Sequence, residues 1–551
     1  MAPHQLQSLT LGQILDRTVA AHGDRDALIY VDRDFRLSYN QFARVVDQLA
    51  KGLMALGVKK GEKVAVWATN IPYWVALQFA TAKIGAVLLT VNTNTKTAEL
   101  AYLLEQSDTE TLFIVDGYQD TDYIQTVYHL VPELKVQERG RLISQRFPCL
   151  RRVCFLGQEK HRGMYSLPEV MALASLVTDS QYTSRQADLD VHDVVNMQYT
   201  SGTTGFPKGV MLSHHNIGNN GWWVGENQRF TEQDRLCLPV PLFHCFGCVL
   251  GVLAAVNHGA AMVILESFDP VQTMASVEQE RCTVLYGVPT MFIAVLEHRL
   301  FDKFDFSSLR TGIMAGSPCP VPVMRQVMER MHMNEITICY GLTENSPVMT
   351  QTLPDDDMRR RTETVGRAMP QIEVKIVDPQ TGMPLPAGQQ GEVCCRGYSV
   401  MKGYYKMPEA TARAIDADGW LHSGDLGVLD EDGYLAITGS HKDMIIRGGE
   451  NIYPREIEEF LFGMEGIMDV QVVGVPSQKY GEAVGAFIIL KAGADVTDSD
   501  VKDFCRGQIA RYKVPKHVAF VDSFPLTASG KVQKYKLQER SVNLFPDPDA
   551  G

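Results

Sequence analysis

Residues 194–213 read VVNMQYTSGTTGFPKGVMLS: a short apolar run, a loop of hydroxyls and glycines that closes on Lys208, and a second apolar run. Short apolar runs on either side of a polar loop read as strands, so the edge of a sheet presents this loop to a site. Its content suits an anion. Glycines allow backbone amides to converge, hydroxyls add donors and Lys208 adds a full charge, the physics that phosphate-binding loops share. A plain polar loop is the alternative, and the flanking strands speak against it.

To the N-terminal side, strand and helix signals alternate. Ser38 and Gln41 make an S-x-x-Q capping box, after which Phe42, Val45, Val46, Leu49 and Leu53 recur at helical spacing up to Gly57. Residues 64–67 are a short apolar run. Pro72 fits the first turn of a following helix, which stops near Gly85 before the apolar run 87–91. That succession is βαβ and predicts a parallel sheet. From about residue 379, Gly- and Pro-punctuated runs such as MPLPAGQQGEVCCRG read as hairpins of a small β-rich subdomain. The C-terminal part reads as a separate unit, with a helix over 454–462, strands over 470–475 and 484–490, and a helix opened by Thr497 and Asp500.

The chain of 551 residues has room for several compact units. Hydrophobic residues at 45% and charged residues at 21% are globular values, which excludes a disordered or collagen-like chain. A net charge of −13 argues against a nucleic-acid partner, so any anionic ligand is held by a local site. The N-terminus shows no basic cluster followed by an apolar core. The longest apolar stretch, FGCVLGVLAAV at 246–256, is too short to span a membrane. These features predict a soluble cytoplasmic protein; a monomer or homodimer is the expectation for its assembly, which these features do not decide. The 11 cysteines, odd in number and scattered, suit reduced thiols. Cys245 and Cys248 form a lone CxxC beside His244, which reads as packing, because a closed zinc site needs four ligands and no second pair lies nearby.

Two familiar nucleotide motifs are missing. No two glycines are separated by a single residue, so there is no G-x-G-x-x-G fingerprint, and the one Gly-Lys dipeptide, Gly530-Lys531, is followed by Val532 instead of Ser or Thr. Dinucleotide, protein-kinase and Walker-type readings lose their support.

YTSGTTGFPKG, with Tyr340-Gly341-Leu342-Thr343-Glu344, WLHSGDLG at 420–427, KDMIIRGGENIYP at 442–454 and Gly530-Lys531, resembles the adenylate-forming superfamily, and most nearly its AMP-forming acyl-CoA synthetases of the medium-chain type. The resemblance covers nearly the whole chain. It implies a large N-terminal α/β domain, 1–441, made of two parallel-type α/β subdomains and a small β-rich one, then a small mobile α+β C-terminal domain, 442–551, hinged near Lys442. It also implies a reaction. A carboxylate attacks the α-phosphate of ATP to give an acyl-adenylate and pyrophosphate, and coenzyme A then displaces AMP. Two anions must meet, so the main task is to neutralise charge that develops in the transition state.

By the same resemblance Thr200, Ser201, Gly202, Thr203, Thr204, Gly205 and Lys208 hold the phosphates of ATP. Glu344 reaches Mg2+, a hard cation suited to carboxylate oxygen, and Thr343 bonds the α-phosphate. Tyr340, followed by Gly341, stacks on adenine, with Gly316, Ser317 and Pro318 as the opposite wall. Asp425 takes the ribose hydroxyls. Lys531 bridges the α-phosphate and the substrate carboxylate. Lys442 serves as hinge and nucleotide contact, and Gly448 and Gly449 line the pantetheine tunnel, where a missing side chain allows close approach. One position departs from the pattern. Thr438-Gly439 is followed by Ser440 where the family has arginine, and serine cannot supply a guanidinium fork. His441 and Arg447 are the candidates to compensate.

The resemblance also puts His244 beside the acyl pocket as a catalytic or positioning residue; by its residues alone, a core histidine is an equal expectation. The segments 222–226, 246–251 and 315–319 would line the same pocket. Acetate-restricted members carry Trp where this chain has Gly341, which implies a deeper pocket and an acid bulkier than propionate: a medium-chain fatty, branched, or cyclic or aromatic acid. Arg359, Arg360 and Arg361 read as a solvated face. Rival readings are an adenylating enzyme that loads a carrier protein, a luciferase-like oxygenase, and a nucleotide-binding regulator that adenylates nothing.

Overall fold

In the computed structural model, which describes residues 5–200, 207–317, 319–440, 443–447, 450–477, 480–506, 508–527 and 530–545, the local signals at the N-terminal end form as read. Ser38 and Gln41 close a reciprocal capping box on the helix Tyr39–Ala55. Pro72 opens the helix Pro72–Ile84, which Gly85 ends in a left-handed conformation, φ 74°. That helix is almost wholly buried, and its buried Lys83 pairs with Asp16 and Asp47.

Two large sheets flank the core. Lys63–Trp67 pairs in parallel with Val87–Thr90 and with Thr109–Ile114, and Val194–Thr200 extends the same sheet beside Val87–Thr90. Lys208–Ser213 returns antiparallel to Val194–Thr200, with Thr200 opposite Lys208. The second sheet runs in parallel through Asp26–Tyr30, Ala261–Ile264, Arg235–Leu238, Val284–Gly287, Thr311–Met314 and Thr337–Gly341. One continuous cluster of buried apolar side chains draws on both sheets.

The β-rich subdomain is an antiparallel sheet of Ile372–Val377, Gln390–Gly397, Leu421–Leu429 and Leu435–Ser440. The C-terminal unit carries its own sheet, dominated by Ile467–Ser477 against Gly481–Leu490, and a separate buried core. Its helices Pro454–Phe462 and Asp498–Cys505 fall where the sequence puts them, the latter with the Thr497/Asp500 capping box. Among the described residues, no helix is long and apolar enough to cross a membrane. The apolar run that follows Cys245 has a form that periodicity does not announce: Phe246–Leu253 is a π-helix, a rare form found disproportionately at functional sites.

Candidate active site

Four neighbouring parallel strands end at one place. Arg235–Leu238, Val284–Gly287, Thr311–Met314 and Thr337–Gly341 lie side by side, and beyond their carboxyl ends come His244, Val288 and Thr290, Gly316 and Ser317, and Thr343 and Glu344. In an α/β sheet this is the edge at which ligands bind. Gly316, Ser317, Tyr340, Thr343 and Glu344 thus share an edge because adjacent strands deliver them, whereas Thr200 and Lys208 come from the other large sheet and Asp425 from the β-rich subdomain. Of the others, Ser201, Gly202, Thr203, Thr204, Gly205, Pro318, Lys442, Gly448 and Gly449, with His441, lie outside the described residues.

The anion end is built around Glu344. Its Oε1 accepts the Tyr404 hydroxyl at 2.8 Å and the Thr200 hydroxyl at 3.4 Å. Lys208 Nζ stands 4.3 Å from the centre of the Tyr404 ring, so cation, ring and carboxylate form one chain. Tyr404 is a residue that sequence reasoning missed; it lies on a two-residue edge strand, Gly403–Tyr404, paired with Lys208–Ser213, and carries no local signal. The Glu344 carboxylate offers only oxygen and fits a hard cation such as magnesium.

At the nucleoside end the Tyr340 hydroxyl donates to Asp425 Oδ2 at 2.9 Å. Burial, first, and the Asp425 charge keep that phenol protonated, well above its ordinary range. Gly316 adopts φ 92°, a conformation that favours glycine, beside Val288. Ser440 stands in register opposite Asp425, where the resemblance calls for arginine. Arg447 does not replace it: its guanidinium donates to the Tyr512 carbonyl at 2.5 Å, within the C-terminal unit.

Lys531 comes from the C-terminal unit on a tight turn in which the Thr527 N–H donates to the Lys531 carbonyl at 2.7 Å and the Lys531 N–H to Thr527 Oγ1 at 3.0 Å. The turn is docked on the large unit. Thr290 Oγ1 donates to the Gly530 carbonyl at 3.0 Å, and Gly530, at φ 81°, packs so closely that a Cβ there would lie 2.7 Å from Val288 Cγ2. Thr290 was not foreseen from sequence either, because nothing in its own segment marks it. His244 Nδ1 accepts the Phe246 N–H at 3.1 Å, which leaves the proton of the neutral ring on Nε2. Burial, with the Lys531 charge, pushes this imidazole down to about 4.

Three observations bear on the acyl side. A Cβ on Gly341 would lie 1.8 Å from the Pro347 carbonyl oxygen, so the backbone demands glycine there and its presence says nothing of pocket depth. Trp222 stacks on His258 at 4.8 Å under the Arg17 guanidinium, and Glu226 accepts from His258 at 3.0 Å. On the helix His214–Asn227, Asn220 bonded to the Val348 carbonyl and Asn227 bonded to Gln351 form the face turned toward the strand after Glu344. Phe246 packs on Tyr286 at 5.7 Å, inside the core. Cys245 Sγ lies 3.7 Å from both Thr343 Oγ1 and His244 Nδ1. Burial lifts its thiol to about 12, which leaves it inert as a nucleophile. Cys248 is buried and bonded by Gln198, so the CxxC is packing.

The family model described as AMP-binding enzyme matches residues 15–405, and that of the AMP-binding enzyme C-terminal domain matches residues 456–531. YngI of Bacillus subtilis (strain 168) is 56% identical over 97% of this chain and 98% of its own length. The human medium-chain acyl-CoA ligase ACSF2, mitochondrial, is 39% identical over 98% of this chain and 89% of its own. Among solved structures, anthranilate CoA ligase AuaEII in complex with anthranoyl-AMP superposes with a TM-score of 0.85 at 26% identity, covering 98% of this chain and 99% of that one. ATP-bound MatB from Rhodopseudomonas palustris gives 0.82 at 27%, covering 98% and 100%.

Proposed function

This chain belongs to the AMP-binding enzyme family, and from that premise we propose that it is an AMP-forming acyl-CoA ligase, which joins a carboxylic acid to coenzyme A at the expense of ATP. The observation that carries the reading is the docked Lys531 turn. A cation delivered by one unit to the strand ends of another, where its charge reaches His244, is what an adenylating site needs and what a passive nucleotide-binding regulator does not.

In the first step a substrate carboxylate oxygen bonds to the α-phosphorus of ATP as the bond to pyrophosphate breaks. Lys208 and Lys531, with the 200–208 stretch, neutralise the charge that accumulates, and Tyr340 and Asp425 hold the nucleoside. Neutral His244, with its proton on Nε2, is a donor for an oxygen of the acid. Glu344 would hold magnesium, which when bound would supply further charge neutralisation. In the second step the thiol of coenzyme A attacks the acyl carbon, AMP leaves with the C–O electron pair, and the thiol proton passes to solvent. For that thiol to enter, the Lys531 turn must withdraw. Lys442, between the strands Leu435–Ser440 and Ile445–Arg447, is the hinge that divides 1–441 from 442–551, and Gly448 and Gly449 then border the thiol's path.

A medium-chain acid is the substrate class best supported, by the name of the ACSF2 relatives. All 11 cysteines are free, which suits a reducing compartment such as the cytoplasm. The test is a nucleotide-product assay with magnesium, ATP and a panel of medium-chain, branched and ring carboxylates, with and without coenzyme A. The expected result is AMP plus a thioester that forms only when coenzyme A is present. ADP as product, or no turnover dependent on a carboxylate, would overturn the reading; acyl transfer to a carrier protein but not to free coenzyme A would reassign the acceptor.

A further inference from the structure

Away from the nucleotide edge, three ligand-type side chains converge on the β-rich subdomain. Glu392 and Cys394 stand two residues apart on the strand Gln390–Gly397, and Cys394 pairs directly with His422 of the strand Leu421–Leu429. His422 Nδ1 lies 3.0 Å from Glu392 Oε2 and 3.4 Å from Cys394 Sγ, and the three ligand atoms all fall within 4.8 Å of one another. On the far side of the ring, Nε2 lies 3.7 Å from Asp416 Oδ2. A histidine whose second nitrogen faces a carboxylate is the arrangement that fixes ring orientation in metal sites.

We propose that Glu392, Cys394 and His422 form a binding site for a thiophilic divalent cation of the zinc class, distinct from any magnesium at Glu344. The donor set selects the ion. Magnesium and calcium take oxygen ligands, whereas zinc accepts sulfur, imidazole nitrogen and carboxylate oxygen together. Three protein ligands leave one tetrahedral position, and it opens to water because the His422 side chain is 29% exposed and Glu392 17%. Binding releases the Cys394 thiol proton to solvent, and the bond between Glu392 and His422 gives way to one bond from each to the ion. The site also touches the nucleotide edge. Glu392 Oε1 accepts the Gly424 N–H at 3.0 Å, one residue before Asp425, so the same carboxylate that would hold the ion braces the ribose loop.

The experiment is a Co2+ titration of the chelator-stripped full chain in excess magnesium. One equivalent should bind with a thiolate-to-cobalt charge-transfer band, be displaced by one equivalent of Zn2+, and release about one proton. Cys394→Ser should abolish the band, and Glu392→Gln should weaken Co2+ binding by at least about tenfold. Asp116→Asn is the control, since Asp116, Glu159 and His161 make the other cluster of ligand-type groups among the described residues and include no thiol; this variant should keep the band. A folded wild-type chain without the band, or a band that persists in Cys394→Ser, overturns the site. Should Cys394→Ser fail to fold, His422→Gln carries the decision: Co2+ affinity must fall at least about tenfold, and unchanged affinity overturns the proposal.

Discussion

Thr290 of the large unit and Gly530 of the C-terminal unit are joined by a hydrogen bond from Oγ1 to the carbonyl oxygen, 3.0 Å long and one residue from Lys531. With Val288 packed against the same glycine, the contact holds the lysine turn on the large unit, and on the proposed mechanism it must be released for the thiol. Thr290→Val keeps the shape and removes the donor. The loss of about 1 kcal/mol should lower adenylate formation roughly fivefold and leave conversion of supplied acyl-adenylate to thioester unchanged. Lys531→Ala should cut the first half-reaction much further, by about 10²–10³. Pyrophosphate release and thioester formation, followed separately, check both. Equal losses in the two half-reactions for Thr290→Val would reduce that residue to a structural role.

Tyr340 orients Asp425 through its hydroxyl. In Tyr340→Phe the ring remains available for stacking and the carboxylate loses a charge-assisted bond, typically about 1.5–3 kcal/mol. KM for ATP should rise by roughly tenfold or more while KM for the carboxylic acid stays within about twofold. A parallel rise in both would mean that the variant disturbs the sheet edge instead of the nucleoside contact.

Glu344 is the carboxylate on which the magnesium assignment rests. Glu344→Gln keeps an acceptor for the Tyr404 and Thr200 hydroxyls but removes the charge, so the magnesium concentration for half-maximal adenylation should rise roughly tenfold. Tyr404→Phe leaves the charge in place and should shift that concentration less. A magnesium titration that is unchanged in Glu344→Gln would place the cation elsewhere.

The helices of the N-terminal end were legible because their signals act through local chemistry. The cap at Ser38, the proline at 72 and the glycine at 85 each set backbone geometry within a few residues, and the helices formed where those signals lay. Thr200, Lys208, Tyr340, Glu344, Asp425 and Lys531 were singled out by the resemblance of their motifs to a known family, and Asp425 and Lys531 taken alone read as a turn aspartate and a solvated lysine. Thr290 and Tyr404 were not legible, since a hydroxyl acting on a residue 240 positions away, or a tyrosine on a two-residue edge strand, leaves no periodic trace. The π-helix Phe246–Leu253 escaped for another reason: a continuous apolar run has no polar face from which to read a period. Gly341 shows the converse, a glycine whose cause is a backbone oxygen approached by tertiary packing.

His214 gives the chain a pH dependence whose sign can be worked out. Its Nδ1 accepts the Leu11 N–H at 3.1 Å, the ring is 0% exposed, and burial pushes the imidazole down to about 4 from an ordinary 6.5. As pH falls below 6.5 the unfolded ring takes up a proton that the folded ring refuses until about 4. Stability is therefore unaffected above that window and lost progressively within it, by at most about 3 kcal/mol. His244 titrates with the same sign, so wild type alone does not separate the two. His214→Gln does: it should be less stable than wild type at pH 7.5 by about 1–2 kcal/mol for the strained or lost bond to Leu11, and that deficit should shrink or reverse by about 2 kcal/mol at pH 4.5. Urea unfolding of both proteins at the two pH values measures it. Parallel pH profiles would show that the buried ring takes up its proton at the same pH in the folded and unfolded chain, and the coupling between the N-terminal helix and His214 would then carry no acid sensitivity.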